Sequence, residues 1–310
     1  MRGHDYKTHH ETLSVNGLDV FYRHAGDRKK PALLMLHGFP TSSHMYRKLI
    51  EPLADTAYVV APDLPGFGFS AAPALDQFDY TFENLADTIE AFVTALGLDR
   101  FFLFVNDFGT PVGYHLATRR PDRIRGLIIQ NGNAHEEGLG PQWDASKAFF
   151  ADPTESNRAK LPEWLNFEGT RYQYIGDVPE RLRRLYPPEC WYLDWERMSR
   201  PGNTDIQFEI FKDYRSHIAR FRAIQAYHRE HQPPCCSGGD TTASSICRRS
   251  WPTAAISTPS RFTFSKAGTC CWKRIIANAW ISLLDSCAMW KPKYSVSSLD
   301  DRPDRTGCHE

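Results

Sequence analysis

The 310-residue chain has no charge excess, no long apolar run and, over its first three quarters, almost no cysteine. Lysine plus arginine is 37 and aspartate plus glutamate is 37, a formal net charge of zero. That balance argues against a general nucleic-acid or membrane-surface binder. No apolar run approaches the ~18–20 residues that a transmembrane helix needs. The opening Met1-Arg2-Gly3-His4-Asp5 is polar and lacks the apolar stretch of a secretory signal. These absences predict a cytoplasmic protein with no nucleic-acid and no membrane partner. The length allows about two domains, or one large domain with an insertion, and a core that needs no staples.

What is present is not evenly spread. Only Cys190 precedes Pro234; Cys235, Cys236, Cys247, Cys270, Cys271, Cys287 and Cys308 follow it. The segment 235–310 holds ten Lys or Arg against six Asp or Glu, while 1–234 holds 27 against 31. The balance therefore changes sign at that point. The last segment also has twelve Ser and no sustained apolar period. Its cysteines form no Cys-x-x-Cys pair, so zinc spacing is absent and no metal is implied.

Up to Pro234 the pattern is regular. Thr12–Val15 and Leu18–Tyr22 flank Asn16-Gly17, a hairpin signal. Ala32–Leu36, Tyr58–Ala61, Phe101–Val105 and Leu127–Ile129 are short apolar runs that suit fully buried strands. Between them, Tyr80–Leu96 carries Phe82, Leu85, Ile89, Phe92, Val93 and Leu96 at helical spacing, with Gly97 as a stop. Val112–Arg119 reads as a further helix. Alternation of this kind predicts a mainly parallel sheet with helices on both faces. Residues 134–213 turn rich in Trp, Tyr and Pro with no buried strand, as an inserted helical lid would be. Tyr214–Glu230 resumes a helix, and Pro233-Pro234 should lead into the next strand. The predicted organisation is a first core part over 1–133, a helical cap over 134–213, a return to the core over 214–234 and an aberrant segment over 235–310.

The chemistry concentrates at Val105-Asn106-Asp107-Phe108-Gly109. A buried strand ends, a carboxylate follows, and a glycine opens a helix. Such an elbow holds its central residue above the sheet edge, near a helix N-terminus that favours negative charge. A carboxylate there stays ionised and can attack an electrophilic carbon to give an ester. The plainer reading is an Asp that caps the helix. His37-Gly38-Phe39-Pro40 ends an earlier strand, and strand C-termini of a parallel sheet share one crevice. Backbone N–H groups of Phe39 and Phe108 can then converge on one developing negative charge. His37 itself reads as a satisfied core histidine.

The set His37-Gly38-Phe39-Pro40-Thr41, Ala61-Pro62-Asp63-Leu64-Pro65-Gly66-Phe67-Gly68-Phe69-Ser70 and Val105-Asn106-Asp107-Phe108-Gly109 resembles the α/β-hydrolase superfamily. Within it, the chain is similar to the haloalkane dehalogenase and epoxide hydrolase branch over residues 10–234. The Gly-x-Ser-x-Gly elbow of serine esterases is absent. The resemblance implies an α/β-hydrolase fold with a cap and Asp107 as nucleophile toward a small-molecule epoxide or alkyl halide. It implies Phe39 and Phe108 as oxyanion-hole donors and no cofactor. Two departures stand out. Dehalogenases place Trp after the nucleophile, where its N–H holds the halide; here Phe108 has no donor. Epoxide hydrolases use cap tyrosines to protonate the epoxide oxygen, and the cap offers Tyr172, Tyr174, Tyr186 and Tyr192.

The family also needs an acid and a His after the cap, to activate water against the ester. After Pro234 the only His is His309. The genetic code supplies an explanation. Joining the third base of each codon to the first two of the next permits an apolar strand, then Gly-x-(His/Tyr)-Asp, with the Asp spanning the codons of Thr241 and Thr242. Across Phe262–Lys273 the same shift permits His-Val-Phe-Glu-Gly-Gly-His-(Val/Leu/Met)-Leu-Leu-Glu. The final Leu-Leu-Glu is forced by Cys270-Cys271-Trp272-Lys273, and the second His spans Gly268 and Thr269. This points to a frameshift near Pro233–Cys236, equivalent to losing one base. The C-terminal part of the core is then expected to be missing or disordered and turnover impaired. Two other readings are a catalytically dead ligand-binding or interaction protein that retains the fold, and a hydrolase drawing on His135, Glu136 or Glu137. A genuine metal-binding appendage is the remaining reading of the tail.

Overall fold

The computed structural model describes residues 6–161, 163–231 and 235–238. Its centre is a seven-stranded sheet in the order β1-β2-β4-β3-β5-β6-β7. The strands are β1 (His9–Val15), β2 (Leu18–Ala25), β3 (Ala32–Leu36), β4 (Tyr58–Pro62), β5 (Phe101–Asn106), β6 (Ile124–Gln130) and β7 (Cys235–Gly238). β1 and β2 form the antiparallel hairpin, and β2 pairs antiparallel with β4; every pairing from β4 to β7 is parallel. Asn16 and Gly17 both have positive φ, 52° and 79°, which is why an Asn-Gly pair makes this turn.

The central strands are buried on both faces because each alternates between two cores. Leu34, Leu36, Val60, Leu103, Val105, Leu127 and Ile129 face one core; Leu33, Met35, Val59, Ala61, Phe102, Phe104 and Ile128 face the other. The second core is closed by Tyr46 and by α1 (Ile50–Ala54) through Ile50 and Leu53. The first is closed by α2 (Phe82–Ala95) and α3 (Gly109–Arg119). α2 buries Phe82, Leu85, Ile89, Phe92 and Val93. It begins where the Thr81 hydroxyl accepts the Asn84 N–H, 3.1 Å away, and is followed by Gly97 at φ 70°.

Between β6 and Tyr214 the chain holds helices and no strand: α4 (Asp144–Ala151), α5 (Glu155–Arg158), α6 (Phe167–Ile175), α7 (Glu180–Arg183), α8 (Glu189–Met198) and α9 (Asn203–Lys212). The continuous helix expected over Tyr214–Glu230 is broken into α10 (Tyr214–Ala219) and α11 (Phe221–His231). The cap is tied to the core loop after β4, where Gln207 Nε2 donates to the Gly66 carbonyl at 3.0 Å and Arg197 Nε to the Gly68 carbonyl at 2.9 Å.

Four residues of the cysteine-rich segment belong to the sheet: Cys235–Gly238 pair in parallel with Leu127–Gln130. Pro233-Pro234 precede this strand, as the sequence suggested. The remainder of that segment, 239–310, lies outside the described residues, as do the tail expectations attached to it. No helix among the described residues is long and apolar enough to cross a membrane.

Candidate active site

The elbow after β5 is built from close approaches that only small residues permit. Asp107 has φ 47°, in the left-handed region, where a non-glycine residue stores strain. Its carbonyl accepts the Thr110 N–H at 2.8 Å, which starts α3. A Cβ on Gly109 would stand 2.3 Å from the Leu36 carbonyl oxygen, so the helix reaches β3 only because that residue is glycine. A Cβ on Gly38 would stand 2.3 Å from the Asp107 Cβ. The two motifs therefore meet backbone to side chain.

Their meeting sets the polar geometry. The Phe39 N–H donates to Asp107 Oδ1 at 2.8 Å, and the Phe108 N–H also bonds this carboxylate. The Asp107 side chain thus reaches across to the β3 loop and does not cap α3. Burial, opposed by these two N–H groups, pushes its carboxyl up to about 6. Desolvation outweighs both donors. The carboxylate remains mostly ionised at pH 7, and its residue is half-buried rather than sealed.

Aromatic side chains wall the elbow. The Phe108 ring packs 5.5 Å from Phe82, 5.9 Å from Phe39 and 6.4 Å from Tyr214. Trp164 stands edge-on to Phe39 at 4.8 Å, and Trp143 stacks on Tyr214 at 5.0 Å. Tyr214 brings a hydroxyl to this wall, and Trp143 and Trp164 bring indole N–H groups. Tyr214 lies within electrostatic reach of Asp107, and burial with that carboxylate raises its phenol.

The four tyrosines suggested by the sequence lie elsewhere. Tyr172 and Tyr192 are 60% and 59% exposed, and the Tyr172 hydroxyl donates to Asp177 at 3.0 Å on the surface. Tyr174 is hydrogen-bonded to Asp194, and Tyr186 is buried against Ile175 and Trp191. Tyr192 packs on Phe167 with ring centres 5.0 Å apart. Tyr214 was hidden because it opens the helix after the cap, where its spacing reads as packing.

The remaining polar residues of the motifs are structural. His37 is fully buried, with Nε2 accepting the Leu64 N–H at 2.9 Å and Nδ1 set against the Gly38 carbonyl at 3.1 Å. Burial pushes its pKa down, so it is a neutral core histidine. Asp63 accepts the N–H groups of Ser43 (2.7 Å) and Phe69 (2.9 Å), clamping the loops after β3 and β4. Glu136 and Glu137 sit exposed on the turn after β6, and His135 is 3.9 Å from Glu137 and 3.3 Å from Gln225. At the C-terminal ends of the strands, Asn106, Gln130 and Gly238 lie in register. Beside them Thr110 Oγ1, Gln130 Oε1 and Asn133 Nδ2 are buried without a hydrogen-bond partner among the described residues.

A parallel sheet, a strand–elbow–helix turn with an Asp at its tip and a cap of helices define an α/β hydrolase. Residues 31–188 match the α/β hydrolase fold family. The chain is 37% identical over 230 residues to an uncharacterized hydrolase of Saccharomyces cerevisiae, covering 73% of this chain and 78% of that one. The chain therefore belongs to the α/β-hydrolase family, and its similarity runs to haloalkane dehalogenases. One from Bradyrhizobium diazoefficiens is 40% identical over 115 residues, 37% of this chain and 36% of that protein. That match spans about a third of the dehalogenase. Among solved structures, a loop variant of a haloalkane dehalogenase from Bradyrhizobium elkanii superposes with TM-score 0.57 at 23% identity, over 77% of this chain and 82% of that one. The epoxide hydrolase CorEH does so with TM-score 0.54 at 22% identity, over 75% and 82%. These two likenesses concern the fold.

Proposed function

We propose that this hydrolase uses Asp107 as a nucleophile toward a small epoxide or alkyl halide. The observation that carries the reading is the strained elbow whose carboxylate accepts the Phe39 N–H at 2.8 Å. The Oδ1 atom is held by that donor, and attack proceeds from Oδ2. The new C–O bond forms as the carbon–halogen or epoxide C–O bond breaks, and the leaving atom takes the electron pair. Oδ1 becomes the ester carbonyl oxygen, already placed against the N–H that stabilises an oxyanion. The Tyr214 hydroxyl is the donor placed to protonate an opening epoxide oxygen. The aromatic wall offers no cation, which favours uncharged substrates.

Hydrolysis of the ester needs a base to activate water. No histidine among the described residues contacts Asp107. In our reading the acid and the His are encoded past Pro234 in the shifted frame. Support comes from β7, which ends at Gly238 in register with Gln130, three to four positions before the shifted acid at Thr241/Thr242. The unpartnered Thr110, Gln130 and Asn133 atoms mark that same sheet end as short of polar neighbours. This chain is then alkylated once and stays an ester.

Mass spectrometry after incubation with styrene oxide or 1-bromohexane tests this. The expected result is one adduct on the peptide carrying Asp107, absent in Asp107→Asn. Unmodified, folded protein sinks the nucleophile assignment.

A further inference from the structure

Cap and core also meet across a buried polar cluster that takes no part in the chemistry above. On α8, Cys190, Asp194 and Met198 turn inward at four-residue spacing, while Tyr192 and Glu196 face solvent. From α6, Tyr174 donates its phenol hydrogen to Asp194 Oδ2. From the core, Arg47 donates from Nη2 to Cys190 Sγ at 2.9 Å and from Nη1 to the His44 carbonyl at 3.0 Å. Behind it, Arg23 on β2 is bonded to Ser43 and lies 3.8 Å from Asp63. Asp194 is 3% exposed, and its one side-chain hydrogen bond among the described residues comes from Tyr174. Arg47 and Arg23 attract its charge from across the interface and Asp63 repels it, but neither guanidinium bonds it.

A carboxylate with one donor in a closed interface is poorly stabilised as an anion. Moving the cap off the core would return it to water. We propose that Asp194 is a proton-operated latch: closing the cap on the core takes up one proton on this carboxyl, and its ionisation loosens the cap. The inference rests on the cap–core contacts and not on the role of Asp107.

The direction follows from linkage. In the closed cap, burial pushes the Asp194 carboxyl up to about 7, against the pull of Tyr174 and Arg47; in an open cap it returns to about 4. The closed state binds more protons between those values, so closure is strongest at low pH and weakens as pH rises toward 7. The neighbours do not share this window. Burial, Arg47 and Arg23 drive His44 down to about 4. The Cys190 thiol, faced by Arg47, Lys48 and Glu189, is raised by burial, and so is the Tyr174 phenol.

Hydrogen–deuterium exchange of α6 and α8 between pH 5.5 and 8.5, corrected for intrinsic exchange, tests the latch, with α2 as the internal reference. Protection of the cap helices relative to α2 is expected to fall roughly tenfold per pH unit up to about pH 7 and then level off. Asp194→Asn keeps an acceptor for Tyr174 without a charge and should flatten the profile. Tyr174→Phe removes the donor that favours the anion and should move the break to higher pH, a readout that survives if Asp194→Asn fails to fold. A flat wild-type profile, an unchanged slope in Asp194→Asn, or an unmoved break in Tyr174→Phe overturns the proposal.

Discussion

The Phe39 N–H lies 2.8 Å from Asp107 Oδ1, so residues 68 positions apart form one polar unit at the end of two adjacent parallel strands. Two glycines make this possible. A Cβ on Gly109 would meet the Leu36 carbonyl oxygen at 2.3 Å, and one on Gly38 would meet Asp107 Cβ at the same distance. Backbone cannot rotate out of the way as a side chain can. Gly109→Ala is expected to cost about 3–5 kcal/mol, at the severe end of single substitutions, measured by denaturant unfolding. Gly38→Ala should cost a similar amount, because its Cβ would also meet the Asn106 carbonyl oxygen at 2.8 Å and the Asp107 Cβ is fixed by the backbone, and it should lose the covalent adduct. Retention of wild-type stability in Gly109→Ala would show that α3 can back away from β3.

With Asp107 as the proposed nucleophile, alkylation is expected to depend on pH. With its pKa raised to about 6 by burial, Asp107 loses its charge as pH falls through 6. Adduct formation should be half-maximal near pH 6 and decline tenfold per unit below it. The stability effect has the opposite sense. A carboxyl raised in the folded state makes folding more favourable at pH 4 than at pH 7. Asp107→Asn should therefore stabilise the protein at pH 7 to 8, by roughly 1–3 kcal/mol, and change little at pH 4. Equal stabilisation at both pH values would contradict a raised carboxyl.

Much of this site was legible in the sequence because strand-end motifs are local. The elbow follows from an apolar run, an Asp and a Gly within five residues, and β3 fell on Ala32–Leu36 as read. The hairpin and α2 were legible for the same reason: turn chemistry and helical spacing act within a few residues. What was not legible is how the cap folds over the elbow. Tyr172, Tyr174, Tyr186 and Tyr192 are indistinguishable in sequence from pocket residues, yet two face solvent and two are locked within the cap. Trp164 reaches Phe39, Tyr214 reaches Phe108 and Trp143 reaches Tyr214 only through tertiary packing. The rise in the Asp107 carboxyl was missed because burial, unlike a helix N-terminus, has no local signature.

Tyr214 separates the two leaving groups. Its hydroxyl is the one phenol among the named rings at the elbow, and Tyr214→Phe removes that hydroxyl while keeping the stacking on Trp143 at 5.0 Å. An epoxide oxygen leaves as an alkoxide and needs a proton; a halide leaves as a stable anion. Loss of a positioned acid typically costs 10²–10⁴-fold. Adduct formation with styrene oxide should fall by about that factor in Tyr214→Phe, and with 1-bromohexane by less than tenfold. Equal losses on both would mean that Tyr214 shapes the site without donating.

The shifted frame makes the most demanding prediction, because it concerns a protein that this gene does not encode as read. Restoring one base within the codons for Pro233–Cys236 should keep β7 as a parallel strand beside Leu127–Gln130, since the shifted residues at its start are apolar. It should bring in an Asp at Thr241/Thr242 and a His at Gly268/Thr269. The restored chain is expected to release product over many turnovers, while the present chain stops at one equivalent of alkylated Asp107. Resequencing the codons for Gln232–Thr242 from the source material decides which chain is natural. If the extra base is there, the cysteine-rich segment is an artefact of reading. If it is not, and the restored chain also stops after one equivalent, the water-activating pair does not lie in that frame. Binding would then describe this protein better than catalysis does.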